Sequence, residues 1–380
     1  MTRLSPGATI GVLGGGQLGR MLAFAAGALG FDVHIYTPEE DSPASRAAAT
    51  TTIGAYDDLA RVADFARACD VVTYEFENVP AAAARAVAEA GALLRPGARA
   101  LEVAQDRLAE KEFAQSVGVP VAPFAAVTNA ADLAAAGAAL GGFGRGVLKT
   151  RREGYDGKGQ RTVADPRALD AAWDALGRRP CVLEAFVPFR RELSVIAARG
   201  ADGAVAFYPL NENIHRDHIL HRTIAPAQAD AQTAARAQEM ARALLEGLDY
   251  VGVLTAELFE TGDGALLLNE FAPRVHNSGH WTIEGAATSQ FEQHIRAVAG
   301  WPLGDPAPLF RCEMTNLIGH DVDAWESLAA EPDAHLHLYG KRSARPGRKM
   351  GHVTVCEGDP ARALEVALAI RDELGIGESA

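Results

Sequence analysis

The amino-acid sequence predicts a multi-domain protein of mixed α/β and α+β class, and three observations carry that prediction. The chain has 380 residues and is 48% apolar, more than one core takes up, since single cores stop growing at about 250–300 residues. Its first hundred residues alternate short apolar runs with segments of helical periodicity, the pattern of a parallel sheet. Its middle replaces that alternation with closely spaced strand-like runs, the pattern of antiparallel hairpins.

In order, a strand at 8–13 runs into glycines, a helix at 17–29 follows, and a second strand comes at 33–36. A helix at 57–67, a strand at 71–74 and a helix at 81–90, just after Pro80, complete a parallel sheet of Rossmann type. Arg95, Pro96 and Gly97 interrupt the pattern, and a helix at 104–117 is closed by Gly118 and Pro120. Strands at 146–150 and 160–163 flank a loop at 151–159 with glycines at 154, 157 and 159, a flexible hairpin. Strands at 181–187, 192–198 and 204–209, a helix at 230–246 with Asp230 as N-cap, and a hairpin over 251–271 turning at 261–264 make the middle mixed α+β. From about Pro306, strands at 312–318, 335–338 and 352–356 precede an amphipathic helix at 360–374.

Composition narrows the function. With 36 basic against 49 acidic residues the formal charge is −13, which repels nucleic acid and anionic lipid unless basic residues are concentrated locally. No nucleic-acid or membrane partner is therefore expected, and an anionic ligand needs its own basic pocket. The four cysteines, Cys69, Cys181, Cys312 and Cys356, form no CxxC pair. They read as buried thiols of a reducing cytosol rather than a zinc knuckle or disulfide scaffold. The N-terminal segment has no leader-like apolar region, and the longest greasy stretch, 21–31, is too short and glycine-broken to span a bilayer. A cytoplasmic, unanchored protein is expected.

Gly14, Gly16 and Gly19 spell GxGxxG between a strand and a helix, so backbone N–H groups and the helix dipole face whatever anion sits there. A dinucleotide site would also place Asp or Glu at the end of the second strand for the ribose. Tyr36 and Thr37 stand there instead, which disfavours a nicotinamide oxidoreductase. Lys149 ends an apolar strand just before the glycine loop, from where its ammonium can reach phosphates cradled by the loop. No GKS or GKT is present, so this is not a Walker A loop. Arg151, Arg152, Lys158 and Arg161 add four cations nearby, as a phosphate-facing cluster or a solvated basic hairpin.

Glu257 and Glu270 lie on the two arms of a hairpin and share a face only if Glu257 pairs with residue 268 or 270. On one face they can bridge hard cations that also hold triphosphate oxygens, with Asn269 as a neutral ligand; otherwise they are two exposed strand carboxylates. His215, His218 and His221 are poorly spaced for a shared metal on either a helix or a strand. His276 and His280, in PRVHNSGH, follow the Glu270 strand, either as loop hydrogen-bonding groups or as neighbours of the metal carboxylates. Between Lys341 and Lys349 five of nine residues are basic, namely Lys341, Arg342, Arg345, Arg348 and Lys349. In an acidic chain this marks a focused phosphate site or an exposed basic linker.

Seven segments together carry a resemblance: GGGQLGRM at 14–21, YEFENV at 74–79, QDRLAEK at 105–111, LKTRREGYDGKGQ at 148–160, EAFVPFRRELS at 184–194, LNEFAPRVHNSGHWT at 268–282 and YGKRSARPGRKMGH at 339–352. In this order, over nearly the whole chain, they resemble the N(5)-carboxyaminoimidazole ribonucleotide synthetases of purine biosynthesis, which are ATP-grasp carboxylases. GRGV before Leu148 departs from the proline-containing strand start of the family pattern. The resemblance implies a Rossmann-like N-terminal domain over 1–104, a central ATP-grasp module over 105–305 holding ATP between two sheets, and a small C-terminal domain over 306–380. It implies ATP-dependent carboxylation of 5-aminoimidazole ribonucleotide by bicarbonate through carboxyphosphate, with Mg2+ as cofactor and a homodimer as the assembly.

By the same resemblance, Arg107 and Lys149 contact ATP phosphates, and Gly154, Tyr155, Asp156, Gly157, Lys158, Gly159 and Gln160 form a lid that shields the reaction from water. Glu184, Ala185, Phe186 and Val187 hold the adenine, Glu192 the ribose, and His215 lies near the nucleotide. Glu257 and Glu270 carry magnesium with Asn269 beside them. Asp156, Lys158, Arg274 and His276 match the catalytic positions around bicarbonate and the amine, and Lys341 and Arg348 match the ribonucleotide phosphate clamp. Gln17, Glu75 and Asn78 match further positions facing that substrate. Formate-dependent glycinamide ribonucleotide transformylases, which share an ATP-grasp domain and a PRVH-like segment, are disfavoured by NSGHWT after His276 and by RPGRKMGH. A degenerate nucleotide-binding protein without turnover is disfavoured by the joint presence of Lys149, Glu257, Asn269 and Glu270.

Overall fold

The computed structural model describes residues 3–154 and 158–357 and, in the C-terminal segment, residues 366, 368–370, 372, 374 and 375. At the N-terminus β1 (Thr9–Leu13), α1 (Gln17–Ala28), β2 (Asp32–Thr37), β3 (Thr50–Ile53), α2 (Leu59–Arg67), β4 (Val71–Tyr74) and α3 (Ala81–Glu89) form a parallel sheet in the order β3-β2-β1-β4. β1 is central and almost wholly buried, as expected of a strand covered on both faces. β3 escapes sequence reading because TTTI is a half-exposed edge strand with little apolar contrast.

The single helix expected at 104–117 is two helices, α4 (Ala98–Ala104) and α5 (Arg107–Ser116). Asp106 separates them. Its backbone is extended and its carboxylate accepts the Leu108 N–H at 3.1 Å, capping α5. The helix therefore starts at Arg107, and Arg107, Glu110 and Lys111 share one face of its first turn.

Next, β5 (Phe124–Val127), α6 (Ala130–Phe143), β6 (Gly146–Thr150), β7 (Gln160–Val163), α7 (Leu169–Ala175) and β8 (Cys181–Ala185) give an antiparallel sheet in the order β5-β8-β6-β7. Ala136, Leu148, Leu169, Trp173 and Leu183 form the core beneath its helices. α6 went unpredicted because AADLAAAGAALGGF has no polar stripe; alanine propensity rather than pattern favours the helix.

A second, larger sheet is built from β9 (Phe189–Arg199), β10 (Val205–Phe207), β11 (Asn211–Arg216), β12 (Ile219–Ala225), α8 (Ala231–Gly247), β13 (Gly252–Thr261) and β14 (Leu266–Ala272). Asp230 caps α8 as expected, accepting the Thr233 N–H at 2.7 Å. The β11–β12 hairpin is hidden in the sequence. It turns on Asp217 and His218, with φ of +48° and +65°, and positive φ at both central residues gives the tight hairpin that Asn-Gly usually announces.

After α9 (Thr282–Gly285) and α10 (Gln290–Val298), β15 (Arg311–Ile318), α11 (Trp325–Ala330), β16 (Ala334–Leu338) and β17 (Lys349–Glu357) extend this sheet, because β15 pairs with both β12 and β17. Its full order is β14-β13-β9-β11-β12-β15-β17-β16, with β10 beside β9. The helix expected at 360–374 lies largely outside the described residues; Val366 and Ile370 pack with Leu317, Val353 and Val355. The first sheet docks onto α10 through Thr73 Oγ1 and His294 Nε2 at 2.8 Å and through Arg95, which donates to the Val298 carbonyl at 2.8 Å. Among the described residues no helix is long and apolar enough to cross a membrane.

Candidate active site

A cavity of about 800 Å³ lies between the β5–β8 sheet and the larger one. It gathers residues that sequence reading assigned separately: Asn78, Arg107, Lys149, Gly154, Gln160, Glu184, Ala185, Phe186, Val187, Glu192, His215, Glu257, Asn269, Glu270, Arg274 and His276. Gln17, Glu75, Lys158, Gly159, Lys341 and Arg348 do not line it. Tyr155, Asp156 and Gly157 lie outside the described residues.

At one end, β6 and β8 are register neighbours and bring Lys149 Nζ to 3.1 Å from Glu184 Oε2. The same oxygen is 3.1 Å from Lys111 Nζ, and Lys111 is 2% exposed. Burial alone would raise the Glu184 pKa, but Lys149, Lys111 and Arg107 together hold it at about 2. Burial in turn lowers that of Lys149. Arg107 donates to Glu270 Oε2 at 2.8 Å and to the Gly154 carbonyl at 3.0 Å, tying α5 to β14 and to the glycine loop. Glu110, one turn on, accepts the Phe271 N–H at 2.7 Å; burial and the nearby Glu270 charge push its pKa up to about 8. Lys111 and Glu110 were missed by sequence reading, although their spacing of four and three residues from Arg107 is the signal that places them on its face.

The register of β13 and β14 sets Glu257 directly opposite Glu270, one of the two pairings that put them on one face. A bulge lies beside this pair, where Leu258 pairs with Leu268 and Asn269 is left over. In an unbroken strand Asn269 and Glu270 would point to opposite faces; the bulge turns both into the cavity. The buried Asn269 Oδ1 has no hydrogen-bond partner among the described residues, so two carboxylates and one unspent oxygen converge. Such a hard-oxygen set fits Mg2+ or a similar cation. Among the described residues no group of three or more His, Cys, Asp or Glu side chains is arranged to hold a metal. Of the histidines at 215, 218 and 221, the first two line the cavity together, contrary to the expected separation, because the tight turn at Asp217 and His218 folds β12 back on β11. His215 accompanies Glu192 at 2.6 Å, and only His221 is set apart, with burial lowering its pKa to about 4.

Beside the carboxylates, His276 Nε2 is 3.1 Å from Glu257 Oε1. Burial would raise the Glu257 pKa, but His276 and His215 outweigh it and hold the carboxyl low. The Ser278 N–H donates to His276 Nδ1 at 3.3 Å and the Ser278 hydroxyl lies 2.9 Å from it. An Nδ1 that accepts leaves the ring proton on Nε2, pointing at Glu257. Gln290 grips the His276 backbone from both sides, accepting its N–H at 2.9 Å and donating to its carbonyl at 2.7 Å. Arg274 makes an ion pair with Glu77 of the first sheet's loop.

Gly14 has φ +127°, and a Cβ there would sit 2.5 Å from Glu75 Cγ. The glycine turn is thus already fitted around an anion of its own: Gly16 and Gly19 donate to the two Glu75 oxygens at 2.7 and 3.3 Å. Burial raises the Glu75 pKa against those bonds. Across from it, Lys341 donates to the Lys349 carbonyl at 2.5 Å, and burial, with Arg348 and Lys349 nearby, lowers its pKa to about 8. Arg348 donates to Ser343. Asp41 takes Arg46 and Arg342 at 2.6 Å each, and Arg46 donates to the Gly340 carbonyl, which latches this basic segment to the first sheet. Lys349 at the segment's end lines the large cavity.

The chain matches the ribonucleotide synthetase preATP-grasp domain over residues 7–105, the ATP-grasp domain over 112–291 and the phosphoribosylaminoimidazole carboxylase C-terminal domain over 312–366. It is 52% identical over 355 residues to the N5-carboxyaminoimidazole ribonucleotide synthase of Brucella melitensis, covering 93% of this chain and 97% of that one. The crystal structure of the Thermus thermophilus synthetase superposes with a TM-score of 0.89 at 47% identity, over 97% of this chain and 99% of that one. The Aspergillus clavatus synthase, solved in complex with ADP and 5-aminoimidazole ribonucleotide, superposes at 0.90 with 34% identity, over 97% and 99% of the two chains.

Proposed function

The chain belongs to the N5-carboxyaminoimidazole ribonucleotide synthase family, and on that premise we propose how its residues divide the work. It is an ATP-grasp ligase that carboxylates 5-aminoimidazole ribonucleotide in purine biosynthesis, using ATP with Mg2+. Within it we assign the nucleotide to the large cavity, the adenine to the edge formed by Glu184, Ala185, Phe186 and Val187, and the ribose to Glu192 beside His215. Lys149 and Arg107 meet the phosphates; both are now paired with carboxylates, which a polyphosphate would replace. Glu257, Glu270 and Asn269 hold magnesium, which when bound neutralises charge on the phosphate oxygens.

Bicarbonate is a poor electrophile, and phosphorylating it to carboxyphosphate makes a short-lived carbon dioxide donor that must be kept from water. Arg274 and His276 orient it beside the acid pair, and Lys158 with Asp156 closes over it as part of the glycine lid. Lys341 and Arg348 clamp the ribonucleotide phosphate, with Gln17, Glu75 and Asn78 facing the rest of that substrate. The domains divide at 1–104, 105–305 and 306–380, supported by the break at Arg95, Pro96 and Gly97. The working unit is a homodimer in the cytoplasm that acts on small molecules alone, a reading supported by the family pattern and the charge of −13.

One observation carries the assignment: a single cavity joins the cation arm of Lys149 and Arg107 to the Glu257–Glu270 pair, and Lys349 brings the basic segment to the same space. The test is ADP release by purified protein with ATP, bicarbonate and 5-aminoimidazole ribonucleotide. Turnover with formate and glycinamide ribonucleotide instead would select the transformylase reading.

A further inference from the structure

Outside the site, β15 and β17 carry two cysteines directly opposite one another, Cys312 against Cys356. Directly opposed residues of antiparallel strands have Cα atoms about 4.5–5.5 Å apart, inside the roughly 4.4–6.8 Å that a disulfide spans. Their side chains point at each other, with Sγ atoms 2.7 Å apart. Cys312 is 1% exposed, whereas Cys356 is only partly buried. The pair is thus closed to solvent on one side and open on the other.

We propose that Cys312 and Cys356 are an oxidation site of this protein, a dithiol that takes hydrogen peroxide as its oxidant and closes to a disulfide stapling β15 to β17. The Cys356 thiolate attacks one peroxide oxygen, the O–O bond breaks, and water leaves after protonation, giving a sulfenic acid. The Cys312 sulfur then attacks the Cys356 sulfur, the S–O bond breaks and a second water leaves. Two thiols and one peroxide become one disulfide and two waters. The other two cysteines are poor competitors. Burial pushes the Cys69 thiol up to about 12 and the Cys181 thiol up to about 11, and no second cysteine lies opposite either.

The staple closes the segment between residues 312 and 356, and constraining a loop of that length favours the folded chain. Along β17, Cys356 stands seven residues from Lys349, about 23 Å at the strand rise of about 3.3 Å per residue. The bond should therefore raise thermal stability without changing catalysis.

The experiment treats the intact native protein with hydrogen peroxide, removes the peroxide, unfolds the chain in guanidinium chloride containing N-ethylmaleimide so that every remaining thiol is blocked, and maps non-reduced peptides by mass spectrometry. The expected result is one peptide pair joined through Cys312 and Cys356, two mass units below the sum of its thiol forms. It should come with alkylated Cys69 and Cys181, a melting temperature higher by a few degrees, reversal by dithiothreitol and unchanged kcat. In Cys312→Ser, dimedone should trap the sulfenic acid on Cys356. Sulfinic or unmodified Cys356 beside an alkylated Cys312 in the native protein, or a bridge to Cys69 or Cys181, would overturn the proposal.

Discussion

Glu184→Gln removes the one carboxylate that two buried ammoniums share. Lys111 is then left 2% exposed with neutral acceptors alone, the new side-chain amide oxygen and the Asn269 carbonyl at 3.4 Å, whereas Lys149 lies on the cavity wall and can be hydrated. The cost follows from the carboxyl's own titration. Its pKa falls from an ordinary 4.5 to about 2, and at about 1.4 kcal/mol per unit this is about 3 kcal/mol of stability. Breaking a buried ion pair by removing one partner costs about 3–5 kcal/mol in general, so the two routes agree. The sign is that of a depressed acid: the contribution is complete above pH 4.5 and is lost as pH falls through 4.5 toward 2. Urea unfolding near neutral pH should show the variant less stable by about 3 kcal/mol, with the gap narrowing in acid. Adding Lys111→Met removes the stranded charge and should recover most of the loss. A Glu184→Gln cost below about 1 kcal/mol, or a Lys111→Met change that only adds its own loss, would refute the shared-carboxylate account.

On the proposed metal site, Glu270→Gln should lower kcat by about a hundred- to a thousand-fold with an unchanged circular dichroism spectrum, since it would remove a magnesium ligand worth several kcal/mol. Unimpaired magnesium-dependent turnover would exclude Glu270 from the metal site. Lys341→Ala and Arg348→Ala should each raise KM for the ribonucleotide about ten- to a hundred-fold and leave KM for ATP unchanged, the loss of one charged hydrogen bond; the reverse pattern would move the basic segment to the nucleotide. Because the Lys341 pKa is lowered to about 8, its charge is present below that pH and lost above it. The native enzyme's ribonucleotide KM should therefore rise as pH increases past 8, a rise that Lys341→Ala should not show. Ser278→Ala should lower kcat about ten-fold with little change in either KM, and Ser278→Thr should restore it; ring nitrogen shifts of His276 that stay those of a single Nε2–H tautomer in Ser278→Ala would count against the hydroxyl's role.

How much of this was legible depends on whether an interaction is local in sequence. The caps at Asp106 and Asp230 act within three residues, and the second could be read directly; the first was missed because the apolar pattern runs through it. Glu257 and Glu270 could only be stated conditionally, because the hairpin's length does not say where a bulge falls. The bulge at Asn269 fixes the register and brings three oxygen-bearing side chains to the wall of one cavity. The Ser278–His276–Glu257 chain and the Gln290 grip were beyond reach, since they depend on the path of the chain after Ala272. Composition correctly demanded a basic pocket, but it could not say that Lys111 and Lys149 would be held by an acid already in place.

The glycine turn makes the same point in reverse. Its GxGxxG spacing reads as an anion site, and the turn does bind an anion, but that anion is Glu75 from the end of the neighbouring strand β4. The Gly16 and Gly19 N–H groups are spent on it, so a phosphate approaching the N-terminus of α1 would find those donors occupied and a carboxylate in front of them. The charge that could receive a phosphate is instead displaced across the gap to Lys341, which feels Glu75 and is latched to the first sheet through Arg46 and Asp41. Burial weakens the hold of Lys341 on its proton, and an incoming phosphate would strengthen it, so the binding free energy includes the relief of a cation kept short of counter-charge. If Lys341 clamps the ribonucleotide phosphate as proposed, the turn would contribute to recognition by holding the acid that favours this lysine's charge, and its own amides would not need to touch the ligand.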